Sequence, residues 1–83
     1  MKKILYFSAP WCGPCKTLSP TMDQLSAEGL HIQKIDVDTN PELSTKYSIR
    51  SVPCLVLVDN LGNTIKKLVG NQPAQTIKNW YNN

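Results

Sequence analysis

Cys12 and Cys15, in the run Trp11-Cys12-Gly13-Pro14-Cys15, are the residues of this chain best suited to chemistry. The apolar run Ile4-Leu5-Tyr6-Phe7 before them reads as a strand, and the segment after them reads as a helix. A thiol that a strand delivers to a helix start meets unpaired backbone N–H groups and the positive end of the helix dipole. Both favour its thiolate. The second sulfur lies one turn along, within disulfide reach of the first. Such a pair is a two-electron thiol–disulfide switch. A bare Cys-x-x-Cys also occurs in zinc ribbons, but tetrahedral zinc needs four ligands. Cys54 and His31 are the remaining soft ligands, and each stands alone in the sequence. The switch is therefore preferred to a structural zinc site.

The elements that must hold this pair can be read from periodicity. Residues 2–8 form an apolar strand, and residues 12–28 a helix with Cys15, Leu18, Met22 and Leu25 on one stripe. Pro20 interrupts that helix and is expected to kink it, and Gly29 ends it. Residues 31–37 read as a second strand, joined to the first by a helix and therefore parallel to it. Asn40 is expected to cap a short helix, with Pro41 in its first position and an end near Tyr47. Cys54 to Val58 is continuously apolar, as in a strand covered on both faces. Residues 59–63 form a turn, and Thr64 to Val69 the returning strand, where Lys66 and Lys67 suit a sheet edge. Pro73 opens a last helix with Ile77, Trp80 and Tyr81 on one face.

Composition narrows the function classes. Eighty-three residues suffice for a single small domain, residues 1–83, with a modest core. The nine Lys and Arg give a net charge of +3 but are scattered in runs no longer than two, without interleaved aromatics. That pattern argues against a nucleic-acid partner. The apolar stretch after Lys3 is too short for a signal peptide, and no segment approaches membrane-spanning length. The expected location is a reducing cytoplasm, where a Cys-x-x-Cys pair is catalytic or metal-binding more often than structural.

The run Trp11-Cys12-Gly13-Pro14-Cys15-Lys16 resembles the active site of the thioredoxin family, and the resemblance extends along nearly the whole chain. Pro20 matches the family's helix proline. Lys34 to Asp38 with Asn40-Pro41 resembles its next strand and loop. Tyr47 to Pro53 resembles the segment that ends in its cis-proline, and Gly70 falls where the family keeps a glycine beside the substrate groove. The resemblance implies a trimmed thioredoxin fold, β-α-β-α-β-β-α, with a four-stranded mixed sheet of order 2-1-3-4 and helices on both faces. It implies a monomeric protein disulfide reductase with no metal or bound cofactor, only the redox-active disulfide of Cys12 and Cys15. Thioredoxin reductase would recharge it, and its targets would be disulfide-containing proteins such as ribonucleotide reductase. Cys12 is expected to be the exposed attacking thiol, with a pKa lowered toward roughly 3.5–7.5. Cys15, shielded in the helix, is expected to resolve the mixed disulfide. Trp11, Gly13, Pro14, Val52, Pro53 and Gly70 are the expected substrate-binding residues. A cis bond between Val52 and Pro53 would leave the Val52 backbone free to pair with an extended substrate. Cys54 reads as a small apolar core residue, and His31 as exposed.

Three departures from the family stand out. Typical members carry a further strand and helix ahead of the first strand seen here, so residues 31–37 are expected at a sheet edge and the stability to be lower. The family's buried aspartate, six residues before the first cysteine, is here Tyr6, which is neutral at pH 7 and no carboxylate base. Cys15 would then lose its proton to water, to Lys34 or to the leaving thiolate. Ser8 replaces a common aromatic and is expected to loosen packing near the active-site loop. Two other readings remain open. Glutaredoxins share the short form, but they usually carry Pro-Tyr between the cysteines and a Gly-Gly followed by acidic residues. Here the corresponding segment is Gly70-Asn71-Gln72-Pro73, where a helix start could still hold a glutathione carboxylate. A non-catalytic partner-binding subunit would use the apolar surface around Trp11, Val52 and Gly70.

Overall fold

The computed structural model describes residues 2–83. Its elements are β1 (Lys3–Ser8), α1 (Gly13–Ala27), β2 (Ile32–Asp36), α2 (Pro41–Lys46), β3 (Cys54–Val58), β4 (Thr64–Val69) and α3 (Ala74–Asn82). The sheet order is β2-β1-β3-β4, with β1 and β2 parallel and the other neighbours antiparallel. This is the order expected from the sequence. β2 is slightly shorter than the 31–37 reading. Its flanks still join the ladder, because the Ile4 N–H donates to the His31 carbonyl at 2.8 Å and the Val37 N–H to the Ser8 carbonyl at 2.9 Å.

The two central strands are apolar along their length because both faces are covered. Strand side chains alternate, so Ile4, Tyr6, Leu55 and Leu57 pack on one face with Leu18, Met22 and Leu25 of α1 and Ile77 of α3. Leu5, Phe7, Cys54, Val56 and Val58 point the other way, toward Ile35 and Tyr47. The expected stripe of α1 is the buried one: Cys15, Leu18, Met22 and Leu25. The helix runs on through Pro20, which lacks the N–H that would reach the Lys16 carbonyl.

α1 ends as the glycine promised. Gly29 adopts φ +107°, and its N–H donates to the Ser26 carbonyl while that of Leu30 donates to the Leu25 carbonyl, both at 3.1 Å. This is the double closure of a Schellman cap, with Leu30 folded against the core. Lys78 of α3 reaches the adjacent Glu28 at 2.5 Å. That hydrogen bond, with a second from Gln24, holds the Glu28 carboxyl below its usual range.

One local expectation fails in detail. Asn40 occupies the cap position of α2, but its side chain makes no capping bond. Its Nδ2 instead donates to the Asp36 carbonyl at 3.0 Å, tying the loop back to the end of β2. On the edge strand β4, Lys66 bonds the Asn83 carbonyl and lies over Trp80, whereas Lys67 bonds the Tyr47 carbonyl. Their stems thus cover both faces of the sheet edge.

Candidate active site

Because β1 and β2 run parallel, their C-terminal ends lie side by side. The loop from β1 carries Cys12, and the loop from β2 carries Val37 and Asp38. Cys12 is the N-cap of α1 and Cys15 lies in its first turn, with Cα atoms 5.3 Å apart and the sulfurs joined in a disulfide. The Cys15 N–H points at Cys12 Sγ from 3.2 Å. Once the disulfide opens, that N–H is a charge-assisted donor to a Cys12 thiolate, as at a capped helix N-terminus.

The site brings together most of the residues picked from sequence. Val52 and Pro53 are joined by a cis peptide bond. The Val52 carbonyl faces Cys12 Sγ at 3.7 Å. Gly70 adopts φ +93°, a backbone region that strains L side chains, and its N–H donates to the Pro53 carbonyl at 2.9 Å. This bond fixes the segment opposite the disulfide. Gly13 and Pro14 open α1 in exposed positions. A Cβ on Gly13 would touch nothing within 4 Å, so the glycine leaves the rim of the site low rather than filling a tight space. Trp11 is 69% exposed, and its Nε1 donates to Asp38 at 3.0 Å.

Two expectations need correction. Cys12 is not exposed in the disulfide form: it is 4% accessible and packs with Ala9, Cys15, Val37 and Val52. Trp11, Gly13 and Pro14 project outward around it. Lys34 is not placed to take a proton from Cys15, because its ammonium pairs with Asp23 at 2.6 Å, two turns further along α1. Cys54 is buried on the far face of the sheet, and desolvation pushes its thiol up, with Lys67 opposing weakly. That is the environment of an inert structural cysteine. His31 is exposed. No cluster of three or more metal-ligating side chains occurs among the described residues.

Tyr6 is fully buried behind the first turn. Its hydroxyl donates to the Cys15 carbonyl at 3.0 Å and lies 3.1 Å from Ser19 Oγ, which itself donates to that carbonyl at 2.9 Å. The tyrosine therefore anchors the backbone of Cys15 and leaves its sulfur alone.

The sequence reading missed two openings beside the site and the residues that complete them, Val37, Ile49, Arg50 and Ser51 in one and Ala9, Lys16, Ser19 and Asp36 in the other. A shallow groove of about 170 Å³ is lined by Trp11, Val37, Ile49, Arg50, Ser51 and Val52. A cleft of about 280 Å³ on the other side of the first turn is lined by Ser8, Ala9, Cys15, Lys16, Ser19 and Asp36. The signal for the second set was present. Once β1 and β2 are read as parallel neighbours, the acidic end of β2 must sit beside the Cys-x-x-Cys loop. Ser8, the small residue in place of an aromatic, lines this opening.

A parallel–antiparallel sheet that presents a bonded Cys-x-x-Cys at a helix tip, opposite a cis-proline, defines a thiol–disulfide oxidoreductase of thioredoxin fold. The thioredoxin family model matches residues 1–83. The thioredoxin of Staphylococcus aureus is 40% identical over 78 residues, covering 90% of this chain and 74% of the relative. A mutant thioredoxin from Halobacterium salinarum superposes with a TM-score of 0.87 at 38% identity, over 96% of this chain and 71% of that one. A reduced thioredoxin pre-protein from Schistosoma mansoni gives 0.88 at 30% identity, over 98% and 76%. The chain belongs to the thioredoxin family.

Proposed function

We propose that this protein is a monomeric, single-domain electron carrier that reduces disulfides in other proteins, with Cys12 as nucleophile and Cys15 as resolving thiol. The observation that carries this reading is the placement of Cys12 Sγ, under the Cys15 N–H and facing the Val52 carbonyl. A substrate sulfur approaching Cys12 must pass between Trp11 and Val52, where an extended backbone can pair with Val52 as an added strand. Trp11, Gly13, Pro14, Val52, Pro53 and Gly70 form this docking surface. The Cys12 thiolate attacks the substrate disulfide, releasing one substrate thiol. Cys15 then attacks Cys12 Sγ, releasing the second and leaving the Cys12–Cys15 disulfide. A thioredoxin reductase returns the dithiol state, and ribonucleotide reductase belongs to the class of targets expected. The reaction needs no metal and no bound cofactor. The working place is the cytoplasm, where the reducing poise keeps the pair charged. No helix among the described residues is long and apolar enough to cross a membrane.

The test is insulin disulfide reduction, driven in parallel by NADPH with thioredoxin reductase and by NADPH with glutathione and its reductase. Turnover in the first system supports the reading, and turnover confined to the second replaces it with a glutathione-linked one. Replacing Cys12 and Cys15 by serine abolishes reduction, whereas a purely partner-binding subunit would keep its function.

A further inference from the structure

The resolving step has an unassigned proton. Cys15 must lose it to become a nucleophile, yet Cys15 is 2% accessible. The Tyr6 hydroxyl and Ser19 Oγ are committed to the Cys15 carbonyl. Lys34 is committed to Asp23. Asp38 is held by Trp11. The cleft behind the first turn is bordered by Cys15. Two ionisable side chains line it with Cys15: Lys16 from α1 and Asp36 from the end of β2. The Lys16 ammonium donates and does not accept, although its charge favours a nearby thiolate. The Asp36 carboxylate is the acceptor of the two. Its Oδ1 takes the Asp38 N–H at 2.9 Å, which fixes the carboxylate at the cleft wall. At about 280 Å³ the cleft is far larger than a water requires, and Ser8, Lys16, Ser19 and Asp36 offer a water polar partners in it.

We propose that Asp36, through water in this cleft, accepts the proton that the Cys15 thiol gives up when it resolves the mixed disulfide. The Cys15 S–H bond breaks, its proton passes along water to the carboxylate, and the sulfur electron pair attacks Cys12 Sγ. The Cys12–substrate S–S bond breaks, and the substrate leaves as a thiolate. That thiolate then takes up a proton from solvent, and Asp36 returns its own to solvent. The dithiol is oxidised by two electrons and the substrate disulfide reduced by two. Asp36 acts as a positioning residue for this proton, and the inference rests on the roles proposed above for Cys12 and Cys15.

Asp36→Asn retains an oxygen for the Asp38 N–H and removes the base. Reduced protein is mixed with a peptide disulfide, quenched in acid and followed by mass spectrometry, so that formation and decay of the Cys12 mixed disulfide are read separately. Formation should proceed at the wild-type rate and decay should slow about ten-fold, a value below the usual range for direct general-base catalysis because water intervenes. Formate should restore decay in Asp36→Ala, since the enlarged cleft admits a small carboxylate. A carboxylate that acted only as a charge would oppose the Cys15 thiolate, and its removal would then speed decay. Decay in Asp36→Asn as fast as wild type, or faster, overturns the inference, as does Asp36→Ala indifferent to formate. Wild-type protein that forms no mixed disulfide on Cys12 overturns the underlying assignment of the cysteines and this inference with it.

Discussion

Tyr6→Phe removes one hydroxyl from a fully buried position and leaves the ring in place. Three oxygens meet there, those of Tyr6, Ser19 and the Cys15 carbonyl, at mutual distances of 2.9, 3.0 and 3.1 Å. Two hydroxyl protons serve the three contacts, so one contact always lacks a proton. In Tyr6→Phe, Ser19 still donates to the carbonyl, and the loss is that of one hydrogen bond without an orphaned acceptor, about 0.5–1.5 kcal/mol. Ser19→Ala is the mirror case, with Tyr6 left to serve the carbonyl, and should cost no more because Ser19 is only half-buried. The double variant strips both donors. Its cost should exceed the sum of the singles by about 0.5–1 kcal/mol, as for two groups that share a partner. Each kcal/mol should move the midpoint of thermal unfolding by roughly 4–8 °C in a domain of this size. Unfolding is measured for all four proteins in both redox states. The disulfide restrains Cys15 when oxidised, so the hydroxyls matter more in the dithiol. A difference of about 0.5 kcal/mol between the states lowers the reduction potential by about 10 mV, taking ~30 mV per 1.4 kcal/mol. Single-variant costs that add to within about 0.3 kcal/mol would refute the shared acceptor. A potential that rises instead would refute the claim that Tyr6 holds the dithiol form in place.

Tyr6→Asp, which installs the carboxylate that other members of the family carry, should fold poorly: it empties a ring volume among Leu18, Met22 and Leu55 and costs about 3–5 kcal/mol in urea unfolding. Trp11→Ala should raise KM for a protein substrate several-fold while leaving the unfolding midpoint within about 0.5 kcal/mol of wild type, because the indole is largely exposed. Cys54→Val tests the inert thiol. Burial raises the folded pKa above the ordinary 9.0, so wild type holds its full stability below that value and loses it as pH climbs and the unfolded thiol alone ionises. The stability of oxidised Cys54→Val relative to wild type should be constant near neutrality and grow above pH 9, a trend absent if Cys54 titrates freely in the native state.

What the sequence disclosed and what it withheld divide along physical lines. The α1 stripe and the apolar run of β3 were legible because burial on one helix face, or on both faces of a central strand, leaves a period in the residues themselves. The parallel β1–β2 pair and the β3–β4 hairpin followed from one crossover and one turn, whereas the full order β2-β1-β3-β4 came from the family resemblance. The cysteine pair was legible because its chemistry depends on four adjacent residues. Asn40 was misjudged in detail because a cap competes with any nearby carbonyl, and here the end of β2 offered one. The burial of Cys12 depends on Val37 and Val52, which arrive from loops with no periodicity. The Tyr6 hydroxyl finding Ser19 and the Cys15 carbonyl likewise needs the packing of α1 on β1 in three dimensions. Lys34 stands beside Tyr6 in the register of the sheet. Its long side chain nonetheless carries the charge to Asp23, which sequence distance does not reveal.

The first turn of α1 separates two environments, and each suits one half of the exchange. Cys12 packs with Val37 and Val52, which with Trp11 wall the groove; on the function proposed above, a bound substrate would exclude water there and strengthen the backbone donor to the Cys12 thiolate. If both sulfurs opened only on that groove, a docked substrate would also seal the exit for the proton of Cys15. Cys15 instead borders the cleft behind the turn, which a partner lying between Trp11 and Val52 would leave open. On the proposed roles, docking and deprotonation are uncoupled: the partner would be held tightly on one side while the resolving thiol exchanged its proton on the other. Filling the cleft with a bulky apolar side chain at Ser8 should slow resolution and spare docking, and widening the groove by Trp11→Ala should do the reverse.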